Sequence, residues 1–154
     1  MTRSKDLGTA CETAVVRYLQ KDGFPHAERR ALRGTADAGD ITGTPGICWE
    51  IKGGEAAKAA SDKQVTAWLA ETETERVNAR ADIGLLVLQR RGVGPGNAGR
   101  WWVVLTSRTF LSICPGVPMH AFSGPTVPVQ LTLERIVVLL RFAGYGQPHP
   151  AVTS

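Results

Sequence analysis

Cysteine and histidine are scarce in this chain of 154 residues, and long apolar runs are missing. The three cysteines, Cys11, Cys48 and Cys114, are widely spaced, odd in number and form no CxxC pair. That excludes a disulfide framework, and buried thiols in a reducing compartment are the expectation instead. His26, His120 and His149 lie far apart, so no zinc cluster has local support. No apolar stretch approaches the length of a membrane span, and the opening MTRSKDLGTACETAVVRYL is broken by charges. Neither a signal sequence nor a membrane helix is expected, which points to a soluble, cytoplasmic protein. No internal repeat is present.

With 43% hydrophobic residues, the chain can bury the core of one compact domain. The net charge of +4 is compatible with a polyanionic partner without requiring one. Its distribution is uneven. Arg29, Arg30 and Arg33 cluster, as do Lys58 with Lys63 and Arg90 with Arg91 and Arg100, while Glu71, Glu73 and Glu75 concentrate negative charge in one expected helix.

Apolar spacing predicts a first helix over 6–21, ended by Gly23. A strand around 26–32 and a polar loop lead to GDITGTPGICWEIKGG, residues 39–54. A second helix starts at Ser61 and runs to about Arg80, with Val65, Trp68, Leu69 and Thr72 as its apolar stripe. Two strands follow, DIGLLVLQR and RWWVVLT, joined by a glycine-rich loop. SRTFLSIC reads as a short helix capped by Ser107. The proline-rich stretch from Pro115 to Pro128 reads as an irregular crossing. Thr132 caps a last helix with Leu133, Ile136, Val137 and Leu140 inward, ended by Gly144, although IVVLL would also suit a strand. Residues from Gln147 onward are expected to be loose. The order α-β-β-β-α-β-β implies an α/β fold, a mixed sheet with helices on its faces.

The stretch from Gly39 to Gly54 places charges on strands that ought to be buried. Alternation puts Ile47, Trp49 and Ile51 on one face and Cys48, Glu50 and Lys52 on the other. A three-residue loop, Thr44-Pro45-Gly46, would pair Asp40 with Glu50 and Ile41 with Trp49, keeping Ile41 among the apolar residues. Asp40, Glu50 and Lys52 would then share a face. Two adjacent carboxylates repel, and partial burial makes their ionisation costlier. A divalent cation between them would resolve the conflict, and hard oxygen ligands suit Mg²⁺, with Mn²⁺ able to substitute. Lys52 would stand beside that metal, holding a hydroxide or neutralising a phosphate oxygen. The competing reading is a solvated strand carrying an ordinary Glu–Lys ion pair. Glu12 falls about 100° around the first helix from Cys11, on the flank of the buried stripe. It is either a third carboxylate reaching the metal or a rim glutamate paired with an arginine.

CETAVVRYLQKDGF, AERR, GDI and WEIK, in that order, resemble the archaeal-type Holliday junction resolvases and their phage relatives within the PD-(D/E)XK nuclease superfamily. The resemblance spans roughly residues 3–106, from RSK to RWWVVL. It implies a restriction-endonuclease-like core, with a central mixed β-sheet flanked by helices. It also implies a catalytic centre of Glu12, Asp40, Glu50 and Lys52, with the Ile51 carbonyl and Glu12 joining Asp40 and Glu50 around Mg²⁺. The implied activity is hydrolysis of DNA phosphodiesters at four-way junctions by a homodimer. A two-fold suits that substrate, because two sites can nick it symmetrically. Gly39 replaces the proline of the superfamily's name. From Ser107 onward nothing is recognised, leaving 107–146 as an extension that packs on the core or builds the dimer.

Related nucleases often place a glutamine near the metal from the second helix, which would be Gln64; Ser61-x-x-Gln64 is equally a capping box. Asp37 could replace Asp40 as a ligand but lacks a strand to fix it. Ser4, Lys5, Arg29, Arg30 and Lys63 are candidate phosphate contacts. GPGNAG, residues 94–99, matches GxGxxG but precedes a strand, so it is a hairpin loop and not a dinucleotide site. Trp49, Trp101 and Trp102 read as core or interface residues before base-stacking platforms. Cleavage of flaps, ends or a recognition sequence, and a non-catalytic DNA-binding scaffold, remain the alternatives.

Overall fold

Helix α1 spans Thr2–Lys21, beginning four residues before the expected start. The computed structural model describes residues 2–31 and 37–152, backbone only at 2–4 and 152. Cys11, Val15 and Leu19 are buried along one stripe of α1, as their spacing demands. The expected strand over 26–32 shrinks to β1, Glu28–Arg29; residue 32 and most of the following loop lie outside the described residues.

The 39–54 stretch folds differently from a simple hairpin. Pro45 and Gly46 do form the turn, with Ile47 N–H donating to the Thr44 carbonyl at 3.1 Å and Gly46 at φ 86°. Proline second and a positive-φ glycine third define a type II turn. Past it, however, β2 (Ile41–Thr42) pairs with β1, Arg29 opposite Ile41, and forms no ladder with β3 (Ile47–Lys52). The predicted register of Asp40 with Glu50 and Ile41 with Trp49 is therefore not formed. One backbone bond, Asp40 N–H to the Trp49 carbonyl at 2.7 Å, ties the two segments instead.

After a short helix α2 (Gly54–Lys58), α3 runs from Asp62 to Asn78, and Ser61 caps it by accepting from the Gln64 N–H. Strand β4 (Ile83–Leu88) then pairs parallel with β3, Glu50 opposite Leu86 and Lys52 opposite Leu88. A parallel pair requires a crossover, and α3 supplies it, running back against both strands. Strand β5 (Trp102–Thr106) lies antiparallel to β4. The cap of α4 (Ser107–Ile113) is Thr106, whose hydroxyl accepts from Thr109 N–H, and not Ser107.

Sequence analysis misses one strand. β6, Pro128–Thr132, emerges from the proline-rich crossing and pairs antiparallel with β5 as the far edge. Its alternation is short, with half-buried Val129 and Leu131 around exposed Gln130, and Pro125 before it with Pro128 as its first residue suggest only loop. Helix α5 (Leu133–Phe142) follows directly, with Leu133, Ile136, Val137 and Leu140 buried as expected. Thr132 precedes it but makes no side-chain cap bond.

The architecture is α/β, a mixed four-stranded sheet in the order β3-β4-β5-β6 with helices on both faces. Trp49, Leu85, Val87, Val103 and Leu105 meet α1 and α5 on one face. Leu86, Leu88 and Val104 meet Leu69 of α3 on the other, beside half-buried Val65, Trp68 and Trp102. Trp49 and Trp101 are fully buried core, each donating its indole N–H, to Thr44 Oγ1 and the Val93 carbonyl respectively. No helix among the described residues is long and apolar enough to cross a membrane. Cys11 and Cys48 are buried free thiols, and Cys114 is a half-buried one.

Residues 147 and 148 are anchored where looseness was expected. Arg141 donates to Asp22 Oδ1 at 2.7 Å and to the carbonyls of Gln147 and Pro148 at 2.9 Å each, while Gln147 N–H donates to the Gly23 carbonyl. A charged fork with three acceptors, on a side chain only 9% exposed, holds the C-terminal segment against the end of α1. Arg141→Ala should cost about 2–4 kcal/mol, read as a lower Tm. It should also speed amide exchange at Gln147.

Candidate metal centre

The crossover β3-α3-β4 builds the site. Strand residues advance about 3.3 Å each and helix residues 1.5 Å. Two strand positions therefore match four helix positions, and because α3 runs antiparallel to β3, Glu75 meets Glu50 while Glu71 meets Lys52. The observed contacts follow that registry. Lys52 Nζ lies 2.9 Å from Glu50 Oε1 and 3.7 Å from Glu71 Oε2, and 5.7 Å above the Trp68 ring. One carboxylate oxygen from each of Asp37, Glu50 and Glu75 lies within 4.8 Å of the others.

Asp40 stands off the β3 edge of the sheet, near Glu50. Its Oδ2 accepts from Ile51 N–H at 2.8 Å. The N–H and C=O of one strand residue point to the same side, so the Ile51 carbonyl is also directed off that edge toward Asp40. Asp40 thus lies within reach of the Glu50 charge and Glu50 holds Lys52, Asp40 being placed by a side-chain bond and not by the predicted ladder.

Burial, and then the charge of Glu50, pushes the Asp40 carboxyl up from 3.8 to about 7, against a smaller pull downward from the Ile51 N–H. Glu75 is also pushed up, first by burial and then by its hydrogen bond to Glu50 and the charge of Glu50, with Asp37 and Asp40 adding to it. Burial works against the Lys52 ammonium, but the hydrogen bond and charge of Glu50, with Glu71 and Glu75, outweigh it and raise its pKa. Lys52 is therefore a cation at neutral pH and not a general base.

The Glu–Lys ion pair of the competing reading is present, yet it satisfies one oxygen only. Glu50 Oε2 and Glu75 Oε2 are both buried, and the only partner each has is the other, through the proton that the raised Glu75 carboxyl holds. Carboxyl oxygens gathered in a protein interior and held together by one proton are a donor set that a hard divalent cation can take in that proton's place. The residues present fit Mg²⁺.

Glu12 accepts from Arg29 Nε at 2.8 Å, which is the rim pairing, although its charge still reaches Asp40. Arg29 also donates to Thr9 Oγ1 and is half exposed, while Lys5, Arg30 and Lys63 are exposed. The Ser4 side chain lies outside the described residues. Gln64 is exposed, its N–H on Ser61 Oγ, about 10 Å along the helix axis from Glu71. A cavity of about 480 Å³ between α1 and Pro95–Ala98 holds none of these carboxylates.

Sequence analysis passed over Glu75, treating it with Glu71 and Glu73 as helix surface. A signal was available. At 100° per residue, Glu75 lies about 20° from Trp68, on the edge of the buried stripe. Asp37 had been set aside for want of a strand to fix it; Gly39 N–H donates to its Oδ1 and Asn78 Nδ2 to its carbonyl, which fixes it without one.

Gly39 has its own geometric reason. Its φ is 93°, which a proline locked near −65° cannot adopt, and a Cβ there would meet the Trp49 carbonyl at 2.8 Å. Compared with known proteins, the chain matches no family model, no curated protein and no solved structure.

Two measurements follow from this geometry. Because folding raises the Asp40 pKa to about 7, protonation favours the folded state, and the metal-free protein loses stability as pH rises through that value. Its Tm should fall by roughly 4–8 °C between pH 5.5 and 8, and Asp40→Asn should flatten the slope. Gly39→Pro should lower Tm by at least about 6 °C, since it removes a donor and forbids the observed backbone.

Proposed function

We propose that the chain is a Mg²⁺-dependent DNA endonuclease with a restriction-endonuclease-like core, acting on four-way junctions. The observation that carries this reading is the set of Asp40 and Glu50 at the open edge of β3, two carboxyl groups close enough for one to raise the pKa of the other, with Lys52 on Glu50. Asp40, Glu50 and the Ile51 carbonyl would hold the cation, and Glu12 would complete its shell once released from Arg29. Bound there, Mg²⁺ supplies a Lewis acid for the phosphate and lowers the pKa of a bound water.

The chain's own residues do the rest. Lys52, held protonated by its carboxylate neighbours, orients a hydroxide or neutralises a non-bridging phosphate oxygen as charge builds in the transition state. Arg30, Lys63 and Lys5 are exposed and free to carry phosphate contacts, which need charge more than fine geometry. Arg29 released from Glu12 would join them. A homodimer would present two such centres to the arms of a junction.

The test is cleavage of a labelled four-way junction against linear duplex of equal length, with Mg²⁺ or EDTA. Paired symmetric nicks in the junction alone, lost with EDTA and in Asp40→Asn, are expected. Lys52→Ala should lower the rate about 10²–10³-fold. Metal-dependent cutting of both DNAs would keep the chemistry and sink the junction assignment. Binding without cleavage under any metal would put a non-catalytic scaffold in its place.

A further inference from the structure

We infer that the protein pairs with a second copy of itself along the outer edge of β6, antiparallel, about a two-fold axis at Gln130. The phase of the β5–β6 ladder decides which backbone groups are available there. Ser107 N–H donates to the Val127 carbonyl at 2.7 Å, and Leu133 N–H to the Trp101 carbonyl at 2.9 Å. Val129 and Leu131 fall in the same phase, opposite Leu105 and Val103, so their backbone groups turn toward β5. Those of Pro128, Gln130 and Thr132 turn away from it, and Pro128 and Gln130 are exposed. The other edge of the sheet differs. On β3 the Trp49 carbonyl takes the Asp40 N–H, and the Ile51 N–H is taken by the Asp40 carboxylate. Among the described residues nothing comparable meets the edge of β6.

What that edge offers is uneven, and the unevenness names the occupant. Pro128 has a carbonyl and no N–H. Thr132 has an N–H, but its carbonyl is the first acceptor of α5 and is already engaged. Gln130 has both groups. A foreign antiparallel strand would set a carbonyl against the missing donor of Pro128 and an N–H against the engaged carbonyl of Thr132, leaving both without a partner. A second copy brings neither. Its Thr132 stands opposite Pro128, so N–H meets free carbonyl and the engaged carbonyl meets the missing donor. The two Gln130 residues face each other and exchange both bonds. Every outward donor then meets an outward acceptor of opposite partial charge, and gap lies opposite gap.

The side chains agree. Pro128 and Gln130 border a groove of about 400 Å³ on the α3 face, with Val65, Thr66 and Val104. The two-fold sets two such grooves side by side and covers the apolar wall of each. It also keeps both Glu50–Lys52 pairs on one face, at the outer edges of the joined sheet and clear of the contact. The pairing does not depend on the nuclease reading, to whose homodimer it supplies a surface.

The experiment is sedimentation equilibrium without metal or DNA, on wild type, Gln130→Lys, Gln130→Glu and an equimolar mixture of the two variants. Residue 130 meets its own copy in this register, so each variant alone opposes like charges and the mixture opposes unlike ones. Wild type should dimerise, each variant should raise the dimer Kd about fivefold or more, and the mixture should restore it. The side chain is exposed, so both variants should fold. Amide exchange at Gln130 and Thr132 should also slow as the wild-type concentration rises, while Leu131, bonded within the chain, should not respond. A wild type that stays monomeric at millimolar concentration would overturn the pairing. So would a dimer indifferent to both charges, or a mixture no tighter than either variant. Metal-dependent cleavage by such a protein would still leave the nuclease reading standing.

Discussion

Glu50 and Glu75 press two carboxyl groups together out of water, and much of the molecule serves to hold them there. Left alone they would separate or gain solvent, because burial and mutual charge both disfavour ionisation. Neither escape is open. Glu50 sits on an edge strand locked to β4 by a parallel ladder, and Glu75 sits on the crossover helix that the ladder makes necessary. The apolar contacts of Leu69 with Leu86, Leu88 and Val104 clamp that helix down. The same hydrophobic burial that stabilises the sheet therefore holds the two carboxyl groups together, and the raised pKa of Glu75 is the result.

Lys52 relieves this conflict only in part, and the partial relief is informative. An ammonium with one carboxylate oxygen at 2.9 Å and another at 3.7 Å is a tethered charge, kept protonated by its neighbours. A structural ion pair would ordinarily bring its donors to all the buried acceptors. Here the ammonium reaches one oxygen of Glu50, and the other lies with Glu75, whose raised carboxyl supplies the missing donor.

How much of this was legible in the sequence depends on the range of the interaction. Helical and strand periods are local, so α1, α3, β3 to β5 and the inward face of α5 could be read directly. So could the shared face of Glu50 and Lys52, which follows from alternation alone. Asp40 was placed beside Glu50 for partly the wrong reason, since β2 turns to β1 and one backbone bond to Trp49 with one side-chain bond to Ile51, not a ladder, bring it to β3. β6 was passed over because its alternation, Val129 and Leu131 around Gln130, is short and begins at a proline; pairing with β5 makes it a strand. Glu75 needed the packing of α3 on β3, which no local period encodes, although its place beside Trp68 hinted at burial. Gly39 read as a weakened motif in the sequence. In the folded chain it is the residue that the positive φ demands.

The Arg141 network joins places far apart in the chain. Its bond to Asp22 spans 119 residues, and the Gly23 carbonyl takes its partner from Gln147. Contacts of such separation form late, because the loop between them must close first. During synthesis that tie is added only once residues beyond 140 have emerged. Helix α1, which carries Glu12, is held before then by Val15 and Leu19 in the core against the sheet. The C-terminal segment thus adds the last fastening to a helix whose candidate site it contributes no residue to.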